Sequence, residues 1–233
     1  MTVTTLSPAD YAAAATALGC DPPAIQALEA VESAGSGFLP DGRPQLLYEA
    51  HRFDALTGGK FRGALDRFGV SLSAREWDRS LYGAGGAHQW MRHDDAAKLD
   101  AMRADMACSW GMFQILGENF HMCGFRTVPD FVTAMRGSAV LHLAAFVVFI
   151  KMSNLAGPLA RHDWAVVARG YNGPGQVDAY AAKLAAAYKR INGAGTLAHT
   201  IQYMPIGADT VPPAMMSDAD VLNQRQIDKG TIG

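Results

Sequence analysis

Apolar residues recur at helical spacing along most of the chain, and the runs begin and end with recognisable caps. Ser7-Pro8-Ala9-Asp10 starts a helix, with Ser as N-cap and Pro at the first helical position, and the Ala-rich run reaches Leu18 before Gly19 stops it. Asp21-Pro22-Pro23 opens the next helix by the same device. In that second helix Ile25, Leu28 and Val31 form a buried stripe, with Glu29 and Glu32 each one position beyond it at its border. Ser33-Ala34-Gly35-Ser36-Gly37 then supplies an exit that tolerates positive φ. Downstream, the pattern predicts an amphipathic helix from Asp94-Asp95 with Ala96, Leu99, Met102 and Ala107 on its apolar side. A capped start follows at Thr127-Val-Pro-Asp130. The helix around 138–153 is apolar on every face and belongs in the middle of a bundle. A shorter helix around 163–169 and a final one at about 177–191, striped by Tyr180, Leu184, Ala187, Tyr188 and Ile191, complete the helical set.

The interruptions matter as much as the helices. Asp41-Gly42 is a turn signal, and Gln45 to Glu49 is a short β-prone run, which together predict a small hairpin or extended segment. Glycines at 58–59 and 83–86 break any period between 53 and 93, so a loop-rich excursion is expected there. Trp77, Tyr82 and Trp90 lie in it, as sugar-stacking rings or as filling for a local core. The run Cys108 to Gly117 is apolar apart from Ser109 and Gln114, and an amide in such surroundings must find partners or line a pocket. Gly170-Tyr171-Asn172-Gly173-Pro174-Gly175 reads as a tight surface loop. Residues 1–192 are therefore expected to form one domain. Residues 193–233 read as a tail with little regular structure beyond a short helix near Asp218 to Arg225.

Composition narrows the function by exclusion. The 233 residues suffice for a substantial core, and a formal charge of −2 gives no polyanion-binding surface, so no nucleic-acid partner is expected. Cys20, Cys108 and Cys123 are too few and too scattered for a disulfide framework or a zinc site, so buried reduced thiols, no metal and no cofactor are expected. The first residues lack a basic region followed by an apolar run, as a secretory leader would have. Synthesis in the cytoplasm is the corresponding expectation.

The carboxylates carry the candidate chemistry. A carboxylate in the last turn of a helix faces the partial negative charge of the carbonyl ends. With partial burial, this pushes the pKa of Glu32 upward, as suits a general acid. The same stretch also reads as an ordinary surface Glu before a Gly-rich cap. Glu49, at the far end of the short extended run, is either a second working carboxylate or the ion-pair partner of Arg52 or Arg43. Glu29, on a neighbouring face, is expected to be solvated, and it is the competitor should Glu32 be structural. His51 reads as a loop histidine.

Three separated signals bring a family into view: Glu32-Ser33-Ala34-Gly35, Ser109-Trp-Gly111-Met-Phe-Gln114-Ile115, and Ala168-Arg-Gly170-Tyr171-Asn172-Gly173-Pro174-Gly175. In this order they resemble the lysozyme superfamily, in particular goose-type lysozymes and soluble lytic transglycosylases. There a Glu-Ser pair, a Gly-Leu-Met-Gln-Ile helix and an Ala-Tyr-Asn-Ala-Gly loop surround a sugar cleft. From about Leu6 to Ile191 the chain resembles the N-acetylmuramidase domain of phage and prophage endolysins. The resemblance implies a mainly α, lysozyme-like helical domain with a small β-hairpin element. It also implies hydrolysis of the β-1,4 bond between N-acetylmuramic acid and N-acetylglucosamine, with Glu32 as general acid. Ser109, Gln114, Tyr171 and Asn172 would then serve the substrate side of the cleft. A second carboxylate, for which Glu49 is placed, acts as nucleophile at about 5–5.5 Å from the acid or as water-activating base at roughly 6.5–9.5 Å. The alternatives are a lytic transglycosylase forming 1,6-anhydro ends and a wall-binding module without activity. Peptidoglycan glycan strands are the implied partner of a monomer needing no obligate protein partner and acting on the wall after release.

Overall fold

The computed structural model describes residues 4–33 and 37–194. The expected tail, including the short helix near 218–225, lies outside the described residues, as do Ala34 to Ser36 of the turn after Glu32.

The fold is mainly helical with one small sheet. Helix α1 (Pro8–Leu18) starts on a full capping box in which Ser7 and Asp10 exchange hydrogen bonds, and it ends on Gly19 at φ +69°. Helix α2 (Pro22–Ser33) follows. Asp21 does not cap it with its side chain as the sequence suggests: that carboxylate accepts instead from Tyr188 Oη at 2.7 Å and faces His162 Nε2 at 3.1 Å. Ile25 and Leu28 are fully buried, as the stripe requires.

Strand β1 (Leu46–Tyr48) runs into helix α3 (Ala50–Leu56), and helix α4 (Ala87–Met106) leads into β2 (Cys108–Trp110) and β3 (Ile115–Leu116). The three strands form one antiparallel sheet in the order β1-β2-β3, with Leu46 opposite Trp110 and Tyr48 opposite Cys108. The Asp41-Gly42 turn closes only a single Phe38–Pro44 bridge, and the partner of β1 comes from 60 residues further on. The family pattern's helix over Ser109 to Ile115 is here the β2–β3 hairpin. Gly111 and Gln114 bound its turn at φ +69° and +46°, a backbone that cannot continue a helix.

Helix α4 begins earlier than its pattern suggests and breaks at Asp100, whose φ of −158° is extended. Asp100 Oδ1 accepts from the Arg103 amide at 3.0 Å, as an N-cap does, so a new helical segment starts there. The expected apolar side is only partly buried: Ala96 and Ala107 are buried, whereas Leu99 and Met102 (53% exposed), on either side of the break, face solvent. His93 Nε2 meets Asp105 Oδ1 at 2.9 Å and braces the two segments.

Helix α5 (Val128–Gly137) is capped by Thr127, and α6 (Ala139–Met152) by Ser138. Phe146 and Ile150 of α6 are fully buried, confirming its central place. After α7 (Ala156–Ala160) come α8 (Trp164–Asn172) and α9 (Val177–Ala194). The most extensive helix contacts join α9 to α2 and to α8, so both ends of the domain close over the helix that carries Glu32.

The excursion between α3 and α4 reaches the core through Leu72, which is buried, and is otherwise held by charge. Arg92 on α4 is buried with Asp66 at 2.7 Å, also donates to the carbonyls of Leu81 and Ser71, and lies 5.2 Å over the Tyr48 ring. Asp54 ties back to Arg62 and to Ser73.

Candidate active site

Glu32 is the penultimate residue of α2 and is half-buried. Tyr180 of α9 donates its hydroxyl hydrogen to Glu32 Oε1. Burial raises the Glu32 pKa from 4.5 to about 7, against the lowering effects of the Tyr180 hydrogen bond and the nearby Lys183 ammonium. A carboxyl in this state holds its proton up to neutrality and has an acceptor atom fixed by a rigid donor. Sequence reading placed Tyr180 only in the apolar stripe of its helix. The signal was available, because a tyrosine at a buried helical position needs a partner for its hydroxyl.

Tyr171 and Asn172 do not form a loop. They are the last residues of α8, which ends on Gly173 at φ +85°. Tyr171 is packed edge-on to Phe149 and donates to the Phe113 carbonyl at 2.5 Å. Its hydroxyl pKa is pushed up by burial and by the nearby Glu32 charge, which places the ring in the same neighbourhood. Asn172 is exposed. Gln114 Nε2 donates to the Gly111 carbonyl at 2.8 Å and closes the hairpin turn from within.

A second polar group gathers on the sheet. Glu49 stands between β1 and α3, its amide donating to the Ala107 carbonyl at 3.0 Å. Ser109 of β2 donates to Glu49 Oε1 at 2.8 Å, and Tyr82 reaches Oε2 at 3.4 Å. His51 lies 3.7 Å from the same oxygen, and burial lowers its pKa. Neither suggested ion-pair partner engages Glu49: Arg52 pairs with Glu118 and Arg43 with Asp41. In the sequence Tyr82 reads only as a sugar-stacking or core-filling ring; its contact with Glu49 is not legible there, because it comes from the irregular excursion.

Glu29 differs from expectation. It is 7% exposed and accepts from Tyr11 of α1, and burial raises its pKa. The side chain follows the stripe inward because α1 packs over that face of α2.

The two groups are connected through the hairpin turn and His142 of α6. Buried His142 donates from Nε2 to the Met135 carbonyl at 2.6 Å and accepts at Nδ1 from the Met112 amide at 3.2 Å. Burial lowers its pKa to about 4, so one neutral tautomer holds the turn. Phe38 stacks on the ring at 4.8 Å, and Gly37 and Gly111 leave room for it. Gln45 joins the segment after α2 to the turn: its amide donates to the Gly37 carbonyl and its carbonyl accepts from Gly111, both at 2.8 Å. Among the described residues, no cluster of three or more His, Cys, Asp or Glu side chains could hold a metal ion.

The N-acetylmuramidase family model matches residues 21–192, a stretch that begins just before α2 and ends within α9. The chain belongs to the N-acetylmuramidase family. This muramidase chain is a peptidoglycan hydrolase, a glycoside hydrolase of the lysozyme type. The crystal structure of the Burkholderia AP3 phage endolysin is similar to it, with a TM-score of 0.69 and 35% sequence identity over 82% of this chain and 72% of that one. No curated protein matches it.

Proposed function

We propose that this muramidase cleaves the β-1,4 bond between N-acetylmuramic acid and N-acetylglucosamine by adding water, with Glu32 as general acid. The observation that carries this reading is the half-buried carboxyl at the end of α2, kept protonated near neutrality and oriented by Tyr180. Glu32 gives its proton to the glycosidic oxygen as the bond to the anomeric carbon lengthens and positive charge grows on the ring. Glu49, held by Ser109 and Tyr82, is the second carboxylate and meets that charge. Tyr171 and Gln114 fix the wall between the two groups, and Asn172 is free at the surface of α8 to reach the glycan. The likeness to a phage endolysin supports a role in lysing a host cell wall. We infer that a monomer does this, since the enzyme acts on a solid polymer.

Mass analysis of fragments released from purified peptidoglycan tests the reaction. Fragments ending in reducing N-acetylmuramic acid are expected. Ends lighter by one water would make the chain a lytic transglycosylase. Retained lysis by Glu32→Gln would remove Glu32 from the role of acid.

A further inference from the structure

Trp77 stands in the excursion between α3 and α4 with 56% of its surface in solvent. Other exposed large apolar side chains occur, but Trp77 differs in where it leads. Its ring lies 6.2 Å from that of Tyr82, tilted by 51°, and the Tyr82 hydroxyl reaches Glu49. At its foot is a small pocket lined by Glu76, Asp78, Tyr82 and His51, the last two being neighbours of Glu49. Glu76 and Asp78 flank Trp77 in sequence and are exposed.

We propose that this loop is a sugar-binding subsite continuous with the Glu49 side of the cleft, in which the exposed face of Trp77 stacks on an N-acetylhexosamine ring of the glycan strand. The inference rests on the muramidase reading above. The chemistry favours a sugar for three reasons. One face of a pyranose presents aliphatic C–H groups, which gain dispersion and lose water against an indole. Hydroxyl and N-acetyl N–H groups at the ring's edge are donors, and Glu76, together with the Asp78 oxygen not taken by the Ser80 amide, offers carboxylate acceptors in the adjoining pocket. Finally, a large aromatic left in water next to a polar pocket marks a contact surface rather than a core. Arg92, which also lines the pocket, is already paired with Asp66, so it does not compete for the acids. Trp77 has no part in bond cleavage; it sets which stretch of strand is held while Glu32 acts.

The test uses peptide-free glycan strands of alternating N-acetylglucosamine and N-acetylmuramic acid. In full-length Glu32→Gln protein, the strands are expected to change the tryptophan emission saturably and to shield it from acrylamide. Adding Trp77→Ala should abolish the shielding and weaken binding about tenfold, whereas Trp77→Phe should restore most of the affinity. In the otherwise unaltered enzyme, Trp77→Ala should raise KM about tenfold with kcat and the pH profile unchanged. Equal binding and equal KM in Trp77→Ala would overturn the subsite. Binding is read without turnover, so that result stands apart from a failure of Glu32 as acid, which appears only as lysis by Glu32→Gln.

Discussion

Tyr180 donates a hydrogen bond to Glu32 across 148 positions of sequence, from α9 to the end of α2. It favours the ionised carboxylate while burial favours the protonated one, and burial wins by enough to leave the pKa at about 7. The proposed acid is thus set by a balance of two opposing effects, and each can be changed separately.

Tyr180→Phe removes the donor and keeps the ring. The Glu32 pKa should rise further, by about one unit for loss of a hydrogen bond to an ionised group. A general acid that keeps its proton to higher pH moves the alkaline limb of kcat/KM upward. The pH profile of the variant checks this, and an unmoved limb would separate Glu32 from the titration that limits activity.

Stability should depend on pH through the same carboxyl. Folded Glu32 titrates at about 7 against an ordinary 4.5, so between those values the folded chain keeps a proton that the unfolded chain releases. Its contribution is fully favourable below pH 4.5, is lost as pH rises through the window, and is absent above 7. Glu32→Gln should therefore be more stable than the parent at pH 8, by roughly 2 kcal/mol allowing for partial exposure, and no more stable at pH 4. Thermal unfolding at both pH values would show it as several degrees in Tm at pH 8 alone.

Glu49→Gln keeps the size of the side chain and its contact with Ser109 but removes the charge. If Glu49 is the second carboxylate, kcat should fall by at least about a hundredfold, roughly 2.7 kcal/mol, with KM little changed. Ser109→Ala, which only loosens the same carboxylate, should cost a few-fold. Turnover within twofold of the parent in Glu49→Gln would make that glutamate structural.

A single methyl group should damage the turn between the two groups. A Cβ at Gly111 would sit 2.7 Å from His142 Cε1, and its φ of +69° already disfavours any other residue. Gly111→Ala should cost about 2–4 kcal/mol. Gly19→Ala has the same φ with nothing within 4 Å and should cost only about 1 kcal/mol. Urea unfolding of the two variants side by side separates crowding from backbone strain.

Arg92→Met would leave the Asp66 carboxylate buried without its partner and should destabilise by about 3–5 kcal/mol. The excursion carrying Tyr82 and Trp77 should loosen with it, so protease cleavage between 57 and 86 is the direct measurement.

The sequence by itself determined the helical frame. Caps such as Ser7, Thr127 and Ser138, the stop at Gly19 and the stripe of α2 act over four or five residues. Such signals can be read locally because the hydrogen bonds they satisfy are local. It also determined the family, through the order of three short motifs. Tertiary structure decided what lies between them. The partner of Leu46–Tyr48, the hairpin built on Gly111 and Gln114, and the kink at Asp100 all depend on which distant backbone meets a donor or acceptor. The surroundings of the carboxylates were decided the same way. Glu29 and Glu32 look alike in sequence, one turn apart on the same helix. Only the packing of α1 over one and α9 over the other assigns Tyr11 to the first and Tyr180 to the second, because burial and a hydroxyl from far along the chain set the charge state of each.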